Sequence, residues 1–271
     1  MTRPFLAIAC STLLLLPMLA HASDASAIDA AQYAQALQGP WRSAQNSARD
    51  RYRHPQQTLS FFGLRADQTV IEITPGNGWY SEILAPLLKD HGRYVAAVDS
   101  AETGEVLERK FKAEPGTYGE AHSLRFEAAA PSFGPPASAD LLLTFRNVHN
   151  WVMANDAGPM FAAFFKVLKP GGVLGVVDHR AKDPSDLASI QQSGYLPTAY
   201  VVKLATDAGF VLQAHSEINA NPNDRKDYPA GVWTLPPALT LGDQDRASYL
   251  AIGESDRMTL RFVKPAATPA K

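Results

Sequence analysis

The chain predicts an α/β protein: a mostly parallel sheet, helices on both faces, and an antiparallel strand at the end of the chain. Three observations predict it. Short apolar runs rich in β-branched residues alternate with amphipathic runs from residue 70 to residue 178, the pattern of buried parallel strands joined by crossover helices. The first of these runs, Val70-Ile71-Glu72-Ile73, breaks into Thr74-Pro75-Gly76-Asn77-Gly78 and then into a helix. Two strand-like runs, 210–217 and 258–263, follow the last helical run with no helix read between them, so the final strand is expected to be antiparallel.

Length and composition set the frame. The 271 residues, 46% hydrophobic, suffice to fill one large core. A formal charge of −2 and a pI near 6.4 imply no basic face for nucleic acid. Residues 1–22 read as a secretory signal: Arg3 starts it, an apolar run covers 5–19, and Ala20-His21-Ala22 forms an A-x-A cleavage site before Ser23. A periplasmic or secreted protein with no stable membrane span after signal removal is therefore expected. The single cysteine, Cys10, lies within that signal. The mature chain then has neither a disulfide nor a thiol nucleophile.

The elements follow in order. Residues 23–66 form an N-terminal helical segment or lid, and 67–264 the main domain. Within the first, 29–37 reads as a short helix ended by Gly39-Pro40. The stretch 48–55 is dense in charge (Arg49, Asp50, Arg51, Arg53, His54) and reads either as a solvated helix face or as a cover over the site. Residues 58–62 read as a short apolar turn. After the first strand, Tyr80, Ile83, Leu84, Leu87 and Leu88 share one helix face. A strand at 94–98 ends on Asp99. A helix at 105–112, a loop at 115–119 and a weak strand at 124–127, ending on Glu127, come next. The clearest later strand, 140–145, runs into the polar cluster Arg146-Asn147-Val148-His149-Asn150-Trp151. A helix at 160–168 turns through Lys169-Pro170-Gly171-Gly172 into a strand at 173–178, followed by His179 and Arg180. A helix at 198–208 stops at Gly209. Residues 219–237 read as a loop that covers the site, and 265–271 as a disordered tail.

The glycine turn carries a resemblance. An acidic residue at a strand end followed by G-x-G-x-G is the first motif of the class I S-adenosylmethionine (SAM)-dependent methyltransferases. Here Glu72 holds the acidic place, Gly76 and Gly78 hold the second and third glycines, and Thr74 stands where the first is usual. The Leu168-Lys169-Pro170-Gly171-Gly172 turn before an apolar strand is frequent in the same superfamily. The chain resembles it, in particular its branch of predicted methyltransferases that carry signal peptides. The resemblance implies a Rossmann-like seven-stranded sheet and SAM as cofactor. It implies a site in which Glu72, Thr74, Gly76 and Gly78 order the turn, Asp99 receives the ribose hydroxyls and Glu127 sits near the adenine. Glu72 and Asp99 are expected to face one crevice, and neither Asp99 nor Gly78 is expected in the apolar core.

The acceptor is expected to be a small molecule. Methyl transfer needs alignment of the acceptor with the S–CH₃ bond, and a base where the acceptor carries a proton. His149 is the candidate base, because imidazole titrates near neutral pH. Asn147 is placed to hydrogen-bond acceptor or cofactor, and Trp151 to wall the pocket. His179 and His54 are weaker candidates. No metal site is read: His149 and His179 can approach, but no third ligand is apparent. A non-catalytic ligand-binding protein on the same fold stays open as an alternative. So does an NAD-dependent oxidoreductase, because Gly76-x-Gly78 followed by Ser81 partly matches a dinucleotide turn.

Overall fold

The computed structural model describes residues 26–266; the expected signal, 1–22, and residues 267–271 of the expected tail lie outside them. Seven strands form one sheet in the order β3-β2-β1-β4-β5-β7-β6. They are β1 Thr69–Ile73, β2 Arg93–Val98, β3 His122–Arg125, β4 Ala139–Phe145, β5 Leu168–His179, β6 Val211–Ser216 and β7 Arg257–Val263. Strands β1 to β5 pair in parallel, while β7 lies between β5 and β6 and is antiparallel to both. The sheet is therefore Rossmann-like, mostly parallel, and closes with an antiparallel last strand.

The helices are α1 Ala30–Leu37, α2 Ala44–Ser47, α3 Asp50–Arg53, α4 Pro55–Phe62, α5 Ser81–Leu88, α6 Ala101–Ala113, α7 Pro115–Tyr118, α8 Val148–Ala154, α9 Ala157–Val167, α10 Leu187–Ile190, α11 Thr198–Asp207 and α12 Arg246–Ile252. Side-chain alternation splits the core into two layers. Val70, Tyr94, Ala96, Leu141, Leu143 and Val177 pack under α1, α4, α5 and α6. Ile71, Ile73, Val95, Leu142, Leu174 and Val176 pack under α8, α9 and α11. No helix among the described residues is long and apolar enough to cross a membrane.

Four local readings are corrected. Residues 58–62 are not a turn but the end of α4, which Pro55 opens at its first helical position. Residues 115–118 form the single helical turn α7, also opened by a proline. The cluster after β4, read only as polar residues beyond a strand, is helical: Val148–Ala154 winds into α8, so His149 sits in the first turn of a helix. A helix, α12, does lie between β6 and β7. It buries no residue and so never packs on the sheet as a crossover helix would; β7 is free to return antiparallel.

The charged stretch 48–55 is not a solvated face either. Arg53 is buried, and the helices around it are bolted to the domain by specific bonds. Trp41 Nε1 donates to the Glu82 carbonyl at 2.9 Å, and Trp79 Nε1 donates to the Asn46 carbonyl at 2.8 Å. The buried Glu82 carboxylate receives Asn46 Nδ2 at 3.0 Å and the Lys110 ammonium. Tyr33, Ala36, Leu59 and Phe62 complete the same core layer as α5.

Candidate active site

The carboxyl ends of β1, β2, β4 and β5 lie side by side, so whatever follows each strand meets in one region. After β1 comes the glycine turn. Thr74 there has φ +48°, and Gly76 and Gly78 have φ +58° and +81°. A β-branched residue in the left-handed region is strained by ~1–2 kcal/mol. Thr74 therefore does carry the backbone of the glycine it replaces, and its buried Oγ1 has no hydrogen-bond partner. Strain and an unmatched hydroxyl at a turn of this kind mark a place built around something else.

The two glycines differ. A Cβ on Gly76 would meet nothing within 4 Å, and the residue is exposed. A Cβ on Gly78 would meet Leu107 Cδ2 at 2.9 Å. The expectation that Gly78 stands clear of the core is thus corrected. Its missing side chain lets α6 approach the turn, whereas Gly76 is the glycine that leaves open space.

Glu72 and Asp99 do not share a crevice. Glu72 is the penultimate residue of β1, and alternation turns it under α5, where it is 2% exposed. It accepts the Tyr94 hydroxyl at 2.6 Å, and Tyr94 in turn shares a 2.7 Å bond with Ser81 Oγ. Burial pushes the Glu72 carboxyl up to about 7, against the lowering effects of the Tyr94 bond and the Arg53 charge. Asp99 follows the end of β2 and is exposed, with no hydrogen-bond partner among the described residues. Ser100, not Asp99, caps α6 by accepting from Thr103 N. Since Ile73 pairs with Ala97, Asp99 lies at the same end of the sheet as the glycine turn. Glu127 is exposed beyond β3 and pairs with Arg125 at 3.3 Å.

The Glu72 shift has a measurable consequence. Its folded pKa lies above the ordinary value near 4.5, so the folded protein holds the proton more tightly. The stability this gives is full below about pH 4.5 and is lost as pH rises to about 7, on the order of 3 kcal/mol in all. Glu72→Gln keeps an acceptor for Tyr94 and has no charge to bury. Urea midpoints should be nearly equal for the two proteins at pH 4.5 and clearly higher for the variant at pH 8. Parallel pH profiles would place the ionised Glu72 in a compensated environment instead.

The chemistry concentrates after β4 and β5. Asp178, fully buried on β5, accepts Val148 N at 2.7 Å and His149 N at 3.4 Å on one oxygen. Its other oxygen takes His149 Nδ1 at 2.9 Å and His179 N at 2.7 Å. The carboxylate thus caps the amino end of α8 from a neighbouring strand and grips the imidazole that α8 carries. A carboxylate only accepts, so the Nδ1 contact requires a proton there and leaves Nε2 as the basic nitrogen of the neutral ring. The His179 ring lies 4.8 Å from that of His149 and its Nδ1 bonds Ser255 Oγ. Burial, then the neighbouring His149 and the charges of Arg146, Arg257 and Arg53, hold His179 well below the usual imidazole range, so it is neutral at pH 7.

Asp178 is the residue that sequence reasoning missed. It also answers the expectation that no third metal ligand is present: His149, Asp178 and His179 offer ligand-type atoms within 4.8 Å of one another. All four lone-pair positions of the carboxylate are nevertheless engaged by N–H donors, three of them backbone, which makes Asp178 an orienting group. Asn147 Nδ2 donates to the Ile73 carbonyl at 2.9 Å and to Thr144 Oγ1 at 3.2 Å. Its amide nitrogen therefore ties β4 to β1. Trp151 does not wall a pocket; it is buried against Phe164 in the core. Trp233, from the β6–β7 connection, comes within 5.9 Å of the His149 ring instead.

No family model and no curated protein matches the sequence. Solved structures do match the fold. A SAM-dependent methyltransferase from Aquifex aeolicus superposes with a TM-score of 0.56 at 15% identity, over 80% of this chain and 93% of that one. A putative sarcosine dimethylglycine methyltransferase from Galdieria sulphuraria gives 0.57 at 13% identity, over 82% and 88%. The [4+2]-cyclase SpnF gives 0.58 at 16% identity, over 83% and 84%. At such identities the likeness is one of fold: this chain has the Rossmann-like architecture of the SAM-dependent methyltransferases.

Proposed function

We propose that the chain is an exported SAM-dependent methyltransferase acting on a small molecule, with His149 as general base. The observation that carries this reading is the His149–Asp178 pair, buried at the ends of β4 and β5. It sits on a methyltransferase fold whose glycine turn has the features a cofactor site needs. Gly76 leaves open space, Thr74 holds a strained backbone with an unmatched hydroxyl, and Asp99 presents a free carboxylate at the same sheet end. Bound there, SAM would supply a methyl group on a sulfonium centre, which leaves as a neutral thioether. Asp99 would accept the ribose hydroxyls, and Gly76 would leave room for the backbone to approach the ligand. Asp178 holds the proton on His149 Nδ1, so that Nε2 can take the acceptor's proton as its lone pair is released for attack. Trp79 and Tyr80, both nearly fully buried, and the Tyr80–Phe145 stack at 3.7 Å keep water from the ends of β1 and β4.

Calorimetric titration with SAM, its demethylated product and NAD tests the cofactor. Micromolar binding of SAM and its product, and none of NAD, is expected. Asp99→Ala should weaken SAM binding by about 10–10²-fold, the loss of charged hydrogen bonds worth roughly 1.5–3 kcal/mol. An unchanged affinity would remove Asp99 from the site. The burial of His149, 3% exposed, favours one other function, a non-catalytic ligand-binding protein on the same fold. That function would be adopted if SAM fails to bind at millimolar concentration. Export is checked by intact mass: the exported form should begin at or near Ser23, and a soluble exported form that retains Met1 would overturn it.

A further inference from the structure

Beside the histidines the charge does not balance. Glu254, 3% exposed, accepts from Arg49 Nε at 2.7 Å, Arg257 Nη1 at 3.1 Å and Arg53 Nε at 3.4 Å. Arg146, at the end of β4 with φ +61°, joins the same field and has no side-chain hydrogen bond among the described residues. Three guanidinium groups thus bond one carboxylate, and the charge of a fourth, Arg146, acts on it. The other acids nearby do not make up the difference. Asp178 is engaged by His149 and three backbone N–H groups, and Glu72 takes up its proton near neutral pH.

The crowding of positive charge shows in the cluster's ionisation and in its unpaired donors. Burial, and then the mutual repulsion of the guanidinium groups, lowers Arg53. Burial also lowers Arg146, to about 10. Burial alone would raise Glu254, but Arg53, Arg257, Arg146 and Arg49 together hold it near 2. Among the described residues, three guanidinium nitrogens of this cluster are buried without a hydrogen-bond partner: Arg49 Nη2, Arg53 Nη2 and Arg257 Nε. Arg53 and Arg257 are each at least nine-tenths buried. Buried N–H donors without acceptors, on side chains that repel one another, are costly unless an anion completes them. Planar guanidinium forks are suited to carboxylate or phosphate oxygens. Arg49 and Arg146 keep partial solvent contact, so the cluster is not sealed.

We propose that Arg49, Arg53, Arg146 and Arg257 form an anion site that receives the carboxylate or phosphate of a small acidic ligand seated beside His149. That this ligand is the methyl acceptor rests on the function proposed above; the anion site itself does not. Arg257 pairs with His179 across β7 and β5, and Arg53 lies 4.6 Å over the ring of Trp79, beside the glycine turn. The pairing of Arg257 with His179, next to His149, favours the acceptor's anionic group over the cofactor's own carboxylate.

Inorganic phosphate is the probe, compared with chloride at equal ionic strength on the full chain. At tenfold its Kd, phosphate should raise the unfolding midpoint by about 3–6 °C. Arg146→Gln breaks no hydrogen bond of the structure and should weaken phosphate binding by about 10–10²-fold. Glu254→Gln removes the internal counter-ion; it should lower the midpoint in chloride and enlarge the shift given by phosphate. Equal midpoints in phosphate and chloride for the wild type, or an undiminished phosphate affinity in Arg146→Gln, would overturn the site. The phosphate shift should persist when the demethylated cofactor is saturating. Its disappearance would assign the cluster to the cofactor's carboxylate and overturn the acidic acceptor. Because none of these readouts requires turnover, failure of the methyltransferase function and failure of the anion site are told apart.

Discussion

Replacing His149 by asparagine is expected to lower turnover by ~10²–10⁴-fold while SAM affinity stays nearly unchanged. Asparagine keeps an amide near the position of Nδ1, so the Asp178 carboxylate retains a side-chain donor in addition to its three backbone ones. What is lost is Nε2, the nitrogen that takes the acceptor's proton. His149 lies in the first turn of α8, after β4, whereas the residues assigned to the cofactor follow β1 and β2. Single-turnover rates together with calorimetry separate the two effects. An equal loss of rate and of SAM affinity would make His149 a cofactor contact. An unchanged rate, in a protein that still methylates, would mean that the acceptor arrives without a proton to lose.

The sheet was legible because strands advertise themselves locally. Apolar β-branched runs bounded by Gly, Pro and Asp marked six of the seven within about two residues at each end; β5 starts at Leu168 rather than at 173, so the Lys169-Pro170-Gly171-Gly172 segment read as a turn lies within the strand. The glycine turn and Asp99 were legible for the same reason: they occupy fixed offsets from strand ends. Helix α4 was missed although Pro55 at its first position is a start signal; the left-handed backbone of His54 at φ +43°, which sets it off from α3, has no side-chain pattern. Helix α12 was hidden by its lack of any buried face. The site was harder still. Glu72 looked like a crevice residue because it ends a strand, yet the two-residue alternation sends it to the helix-covered face. Asp178 carried the same strand-end signal and was passed over, although an acid followed by His179 after the Pro-Gly-Gly turn was there to be weighed. The guanidinium cluster was only half legible: the charge-dense stretch marked Arg49 and Arg53, but Arg49 and Glu254 are 205 positions apart, and only the tertiary fold joins them.

Asp178→Asn should damage both stability and rate. Each carboxylate oxygen faces two N–H donors, Val148 N and His149 N on one side, His149 Nδ1 and His179 N on the other. Whichever way the new amide turns, its NH₂ points at two donors and leaves them unsatisfied in a fully buried place. If the NH₂ faces His149, the ring can recover a bond only by accepting at Nδ1, which moves its proton to Nε2 and removes the basic nitrogen. If it faces the start of α8, the helix loses its cap. The cost is about 3 kcal/mol, two hydrogen bonds to a charged group and the desolvated donors left behind. In urea this should appear as a lower midpoint at an unchanged m-value. Turnover should fall about as far as in His149→Asn if the NH₂ faces the ring, and less if it faces the helix. In the double variant the rate should fall little further, because both changes remove the same function. Rates that multiply instead of saturating would mean that Asp178 acts apart from His149, through the architecture of α8 alone. Full activity in Asp178→Asn at temperatures where it remains folded would show that the carboxylate's charge is not needed, the amide oxygen alone holding the proton on His149 Nδ1.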